Sequence, residues 1–435
     1  MGRQTEMRVR LRQNSAWAAV AAAGLGVFSL LTLVHTFGLW GDYSAEGRPA
    51  FDNLVSGRLS DFLHSAPGYG GSLLMRAPFV LAAHALGAGD AWIFRASLIP
   101  VLAACGALAW WLAASMGRAK ASWLARLLVV GLCVLNPIAM QAVKGGHPEE
   151  LLGAVLCVAA VLCAIHDRPI WAGVLLGLAI ANKEWALLGV GPVLVALRGG
   201  RVRSLAAAAA VASLLTAPFL IAGTVSLDHG FGGLPGATTD WVFTRWQWWW
   251  FFGTPAPGLT VSGRLPPSWI HQLAHPLIIG VSIPLTLMYV QRARRRPSAP
   301  GDTLLLLALL LLLRCVLDPW DYSYYSLPFL FAVLAWDALR PRRLPVLALT
   351  ASFVTWFVYT RVPAPSLHLS PNRQALIFIF VSVLAAAALA CGLYAPGFGE
   401  RLRQRAPRRA RVGAPLEPGQ HHRLARSSPP GQPGV

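Results

Sequence analysis

Uninterrupted apolar runs constrain this chain more than any other feature. Residues 15–37, 91–116, 204–223, 270–291 and 375–394 each form a run of about 18 or more residues, enough to cross a roughly 30 Å hydrocarbon layer as helix. The runs recur to the end of the chain, so the sequence reads as a polytopic membrane protein. Of the 435 residues, 55% are hydrophobic and only 13% charged, too apolar for a surface that faces water on all sides. The first run follows Arg3, Arg8, Arg10 and Arg12 and has the outline of a signal peptide. It is too long for one, however, and runs into His35-Thr36-Phe37-Gly38-Leu39-Trp40 instead of a small-residue cleavage site, which makes it an uncleaved anchor.

A net charge of +19 would suggest nucleic acid in a soluble protein. Here the basic residues sit in short loops between apolar runs and in the tail, and no basic stripe is interleaved with base-stacking aromatics, so nucleic acid is excluded as a partner. The six cysteines (Cys105, Cys133, Cys157, Cys163, Cys315, Cys391) lie within or at the ends of apolar runs without a CxxC pair, and read as packing residues.

Charge also sets the expected topology. Treating 73–88 as a crossing would place Gly117-Arg118-Ala119-Lys120 outside and His147-Pro148-Glu149-Glu150 inside, against the cytoplasmic bias of Lys and Arg. The alternative lays 73–88 along the outer interface and breaks the run 171–197 at Asn182-Lys183-Glu184. A straight helix there would be about 40 Å long, with two charges in mid-bilayer. The result is an all-α bundle of about 12 spans, residues 15–395, with both termini cytoplasmic, a basic N-terminus at 1–14 and a disordered basic tail at 396–435. Outer segments are 38–90, 144–150, the 182–184 break, 224–269, 318–325 and 361–374. They receive most of the acids, and the tail arginines are suited to anionic membrane lipid. No internal repeat is evident, which weighs against transporter folds built from repeated halves.

Five outer constellations carry candidate chemistry. Asp42 and Glu46, four residues apart, share a face if helical; a partly desolvated carboxylate there suits a general base, and the plainer reading is a loop acid or helix cap. Gly146-His147-Pro148-Glu149-Glu150 offers His147 and Glu149 to a substrate, though metal sites need more ligands than it presents; a capped helix start is the alternative. Lys183, the one lysine within an apolar run, suits a phosphate, or else an internal pair with Glu184 or another carboxylate. Arg314 precedes Asp318 and Tyr324 in Asp318-Pro319-Trp320-Asp321-Tyr322-Ser323-Tyr324-Tyr325, and is expected to pair with an acid there or with a lipid phosphate. The aromatic run Arg245 to Phe252, with Trp248 at its centre, reads as an interfacial belt or as a platform for a sugar ring or prenyl chain. Gly173 and Gly177 form a GxxxG, a close helix contact.

The order of these features carries a resemblance. An acidic outer loop is followed by Pro67-Gly68-Tyr69-Gly70-Gly71-Ser72 and an interfacial Leu-Met-Arg-Ala-Pro-Phe helix, then Asn136-Pro137, Gly146-His147-Pro148-Glu149, and Ala172 to Ala179 leading into Asn182-Lys183-Glu184-Trp185. Over roughly residues 15–395 this resembles the GT-C membrane glycosyltransferases, most closely glycosyltransferase family 87, the polyprenyl-phosphate-mannose-dependent mannosyltransferases. The resemblance implies inverting transfer of a hexose, mannose by family, from a polyprenyl-phosphate-sugar donor to a lipid or glycan acceptor at the outer face of the cell membrane, with no further cofactor. It maps the catalytic base to Asp42, with Glu46 as nearest rival, and leaves Lys183, His147 and Arg314 to steady the departing phosphate. Two other classes share the sequence features: a lipid or sugar transporter that uses the intramembrane charges as a pathway, and a non-catalytic subunit of an envelope-assembly complex.

Overall fold

The computed structural model describes residues 16–29, 42–223, 243–255, 263–295, 299, 301–340 and 343–395. The expected N-terminus, the end of the first span, segments 224–242 and 256–262 of the expected 224–269 outer segment and the tail 396–435 lie outside the described residues.

The described chain is all-α apart from one two-residue antiparallel pair, β1 (Thr254–Pro255) with β2 (Arg264–Leu265). Helix α1 (Ala16–Ser29) is followed by a group of short helices: α2 (Arg48–Val55), α3 (Leu59–Ser65), α4 (Gly70–Ala85) and α5 (Asp90–Ser97). Next come α6 (Ile99–Arg118), α7 (Trp123–Val134), α8 (Pro137–Gly145), α9 (Pro148–Ile165), α10 (Pro169–Asn182), α11 (Val190–Ala196) and α12 (Arg201–Ile221). The chain ends in α13 (Ser268–Arg295), α14 (Asp302–Leu317), α15 (Leu327–Ala338), α16 (Val346–Trp356) and α17 (Pro371–Tyr394).

Among the described residues, six helical stretches are long and apolar enough to cross a membrane: Asp90–Arg118, Trp123–Gly145, Pro148–Ile165, Arg201–Ile221, Ser268–Arg295 and Pro371–Tyr394. Shorter apolar helices occupy Ala16–Ser29, Pro169–Asn182, Glu184–Ala196 and Val346–Arg361. Together they mark a membrane protein. Their burial differs sharply: 78% of the α9 window is buried, against 17% for α12 and 22% for α13 and α17. Helix α9, packed against α6, α10, α11 and α15, is therefore the centre of the bundle, while α12, α13 and α17 present apolar faces outward. Every residue of α15 and nearly all of α14 are buried, so these two belong to the interior with α9.

Two breaks position the site. The run 169–196 does not continue as one helix: Lys183 is extended (φ −157°, ψ 131°), and the chain resumes as a tight 3-10 turn, Glu184–Gly189, before α11. The second break lies between α8 and α9, where Gly146 adopts φ +89°. A Cβ at Gly146 would meet the Tyr43 backbone nitrogen at 2.4 Å, so glycine is needed there both for the left-handed turn and for the approach of segment 42–47. Helix α4 has 16 residues, about 24 Å, and contains Pro78 and the buried Arg76, which donates to Ser97 Oγ at 2.8 Å.

The GxxxG of α10 meets α12 backbone to backbone. A Cβ on Gly173 would stand 2.2 Å from the Ser204 carbonyl oxygen, and one on Gly177 would stand 2.6 Å from that of Ala208. Because a backbone carbonyl cannot swing aside, Gly173→Leu is expected to cost at least about 1–3 kcal/mol and to lower the thermal midpoint in lipid nanodiscs. Gly131→Leu, at a position with nothing within 4 Å, is the control that should leave the midpoint in place.

Candidate functional site

The site is built where helices stop. Residues Tyr43–Gly47 wind as a single wide π turn leading into α2, a local form rare enough to mark functional segments. Gly146 brings this turn against the start of α9, where Pro148 occupies the first helical turn and Glu149 and Glu150 follow it, as the helix dipole favours.

From there a chain of polar contacts runs through the molecule. The Nε2 of His147 is 2.5 Å from Asp42 Oδ2, and its Nδ1 is 2.7 Å from Glu149 Oε1. Exposure falls along this line: the Asp42 side chain is 52% exposed, His147 7% and Glu149 0%. Lys183 Nζ lies 3.9 Å from Glu149 Oε1 and 3.5 Å from Glu150 Oε1. Arg314 reaches the same Glu150 oxygen at 3.9 Å and Asp318 Oδ2 at 3.5 Å. Glu46 joins from the other side, accepting a 2.6 Å hydrogen bond from the Tyr69 hydroxyl, whose ring lies 4.7 Å from Lys183 Nζ. Tyr324 stacks on His147, with centroids 4.7 Å apart and planes 24° off parallel.

Eight of the ten residues singled out from sequence are thus drawn together: Asp42, Glu46, His147, Glu149, Lys183, Arg314, Asp318 and Tyr324. The other two are placed differently. Glu184 forms no ion pair among the described residues, although it follows Lys183 directly. The extended backbone at Lys183 lets the lysine turn to Glu149 and Glu150, while the charge of Glu184 acts on Lys183 and Asp318 from nearby without a direct pair. Trp248 is half-buried and packs against all three apolar clusters, so it is part of the interior. In the aromatic run around it Trp246, Trp249 and Trp250 are buried, while Phe251 and Phe252 at its end are exposed. Trp249 donates to the Leu317 carbonyl at 2.8 Å, and Trp250 donates to Asn372 Oδ1 at 2.9 Å.

Three contributors were not picked out from sequence. Glu150 is fully buried and accepts a 3.0 Å hydrogen bond from the Trp185 indole, leaving its Oε1 to the two cations. Asn182, the last residue of α10, donates to the Glu149 carbonyl at 2.7 Å and ties the break to α9. Tyr69 holds Glu46. The available signal was position: Glu150 adjoins His147-Pro148-Glu149, and Asn182 adjoins the lysine break.

Charge within the site is unevenly satisfied. Among the described residues Lys183 Nζ is held by charge at 3.5 and 3.9 Å, with no hydrogen bond to fill its donors, and Glu149 Oε2 and Glu150 Oε1 also lack hydrogen-bond partners. Such a cation is ready for an arriving anion. Burial pushes the Glu46 carboxyl above its usual range, against the hydrogen bond from Tyr69. Burial alone would lower the His147 pKa, but the charge of Glu149 and the hydrogen bonds to Asp42 and Glu149 prevail and raise it to about 10. Both ring nitrogens are then protonated at neutral pH and both donate. No group of three or more His, Cys, Asp or Glu side chains is arranged to hold a metal ion among the described residues.

The raised imidazole has a consequence for stability. A group whose pKa is higher in the folded than in the unfolded chain contributes fully below its unfolded value and loses that contribution as pH rises through its folded value. For His147 the window runs from the ordinary 6.5 to about 10. Thermal midpoints in lipid are expected to decline across that range, and to decline less in His147→Gln. An equal slope in both proteins would show that this histidine is not the group responsible.

No family model, curated protein or solved structure matches the chain. What the site can do rests on its own residues.

Proposed function

We propose that the chain is an integral membrane hexosyltransferase of the GT-C type, akin to glycosyltransferase family 87. It moves a hexose, taken as mannose, from a polyprenyl-phosphate donor to a lipid or glycan acceptor at the outer face of the cell membrane. One observation supports this above the others: a half-exposed carboxylate, Asp42, stands one histidine and one glutamate away from a buried lysine whose donors are unfilled. Base and cation are the two groups that sugar transfer from a phosphate requires.

In this reading the acceptor hydroxyl gives its proton to Asp42 while its oxygen attacks the anomeric carbon of the donor. The bond from that carbon to the phosphate oxygen breaks, and the configuration inverts. The electron pair leaves with the polyprenyl phosphate, whose growing charge is met by Lys183 and Arg314. His147, doubly protonated and fixed by Glu149, keeps the Asp42 carboxylate aimed. Asp42 is favoured over Glu46 as base, because Glu46 is engaged by Tyr69 and its carboxyl is shifted toward the neutral form.

The membrane arrangement that suits this chemistry has twelve crossings: α1, α5 with α6, α7 with α8, α9, α10, the 184–196 segment, α12, α13, α14, α15, α16 and α17. Both termini are then cytoplasmic, and Arg118, Lys120, Arg168, Arg198, Arg201, Arg203, Arg292, Arg294, Arg295 and Arg340 share the cytoplasmic side. Asp42, His147 and Lys183 fall on the opposite side, with α4 along the interface.

The test is reconstitution. Purified full-length protein in lipid, given radiolabelled polyprenyl-phospho-sugars and candidate acceptors, should yield labelled product with at least one donor. No transfer with any donor, from protein shown to be folded, sinks the reading.

A further inference from the structure

We propose that Tyr322 and Tyr324 form a saccharide subsite beside Asp42, so that the acceptor is a glycan held through the sugar next to the one that reacts. The inference rests on the sugar-transfer reading and names its acceptor class. It begins with a column of rings. Tyr322 lies 5.5 Å from Tyr324 with planes only 5° apart, and Tyr324 lies 4.7 Å from His147, whose Nε2 holds Asp42. Exposure drops inward along the column, from 36% at Tyr322 to 8% at Tyr324 and 6% at His147.

The column is also braced. Tyr325 stands edge-on to both rings, at 6.0 Å from Tyr322 and 5.3 Å from Tyr324, and lies under the Arg314 guanidinium at 4.3 Å. The 3-10 turn Ser323–Ser326 sets the spacing of all three tyrosines, and Ser326 Oγ donates to the Ser323 carbonyl at 2.5 Å. Ring planes held this way present a rigid apolar face with a polar rim. That is the complement of a pyranose, which shows a C–H face ringed by hydroxyls.

An interfacial belt would look different. Belt aromatics on this protein, such as Trp92, Trp123 and Trp171, are 58%, 68% and 61% exposed. Tyr322 instead is the outer end of a stack whose inner end is the histidine that aims the base. Asp318 and Asp321 of the same loop turn inward, to Arg314 at 3.5 Å and to the Tyr359 hydroxyl at 2.6 Å, and so anchor the loop from which Tyr322 reaches the surface. With Asp42 at the inner end of the column and Tyr322 two ring spacings out, the reacting sugar and its neighbour each have a place.

The experiment uses full-length protein in nanodiscs, with saturation-transfer NMR to methyl α-mannoside and to α-linked mannobiose, and acceptor kinetics for the same two sugars linked to an octyl chain. Tyr322→Ala is expected to weaken the mannobiose signal and to raise the disaccharide KM about tenfold, while moving the monosaccharide KM much less. Tyr322→Phe should keep the wild-type values, and the thermal midpoint of each variant guards against misfolding. Equal effects on both sugars, or no effect on either, overturn the subsite. Loss of polyprenyl-phosphate binding in Tyr322→Ala with saccharide binding intact overturns it too, and would hand the platform to the donor chain. If mannobiose binding depends on Tyr322 and no donor supports transfer, the subsite stands and the transferase reading falls.

Discussion

If the chain transfers a sugar as proposed, Asp42→Asn is expected to retain donor binding and to lose transfer by about 10²–10⁴-fold, the range that a positioned general base contributes. Asparagine keeps an oxygen that can accept from His147 Nε2, so the 2.5 Å contact and the placement of segment 42–47 have a substitute. What it removes is the capacity to take a proton. Binding of radiolabelled polyprenyl-phospho-sugar and single-turnover transfer, measured on one preparation, separate the two effects. A transporter need not depend on this half-exposed outer carboxylate, so undiminished movement of a lipid-linked sugar in Asp42→Asn would favour that class. Transfer that survives in Asp42→Asn and disappears in Glu46→Gln would move the base four residues along.

The largest loss of stability is expected from Lys183→Met, at about 3–5 kcal/mol. The lysine is 13% exposed and sits 3.5 and 3.9 Å from two carboxylates that are fully buried. Removing it leaves Glu149 with His147 and Glu150 with Arg314, in surroundings that cannot solvate an extra negative charge. Adding Glu150→Gln should recover a large part of the loss, because the second change removes the charge that the first left uncompensated. Thermal unfolding of the single and double variants in nanodiscs reads this directly. A Lys183→Met protein as stable as the parent would mean that water or a proton already serves these acids, and that the network is not closed as described.

The helical class could be read in the chain because 18-residue apolar runs have few other uses, and the break at Lys183 because two charges in mid-run are hard to bury in a straight helix. The number of crossings could not. Helices α14 and α15 are as apolar as the six long ones, but they are covered by protein, and hydropathy does not distinguish a helix wrapped by lipid from one wrapped by neighbours. The site was legible as a set of rare polar residues at the ends of apolar runs; its wiring was not. Nothing in local spacing says that Lys183 would choose Glu149 and Glu150, 33 or more positions back, over its neighbour Glu184. Around Trp248 dense aromatics suggest a surface for ligands or headgroups, whereas the neighbouring indoles of Trp249 and Trp250 find carbonyl and amide partners inside.

The tie between the start of α9 and the end of α10 bears on how the chain is made. Glu149 and Glu150 emerge long before Arg314, and two carboxylates at the head of an apolar helix oppose its entry into the bilayer. His147, just ahead of them, serves Glu149 alone; the next cation, Lys183, reaches both acids from the far end of the very next helix, across the tight turn at Asp167. The α9–α10 hairpin therefore carries its own counter-charge and can leave the translocation channel as one nearly neutral unit, while Arg314 completes the arrangement only once three-quarters of the protein has been synthesised.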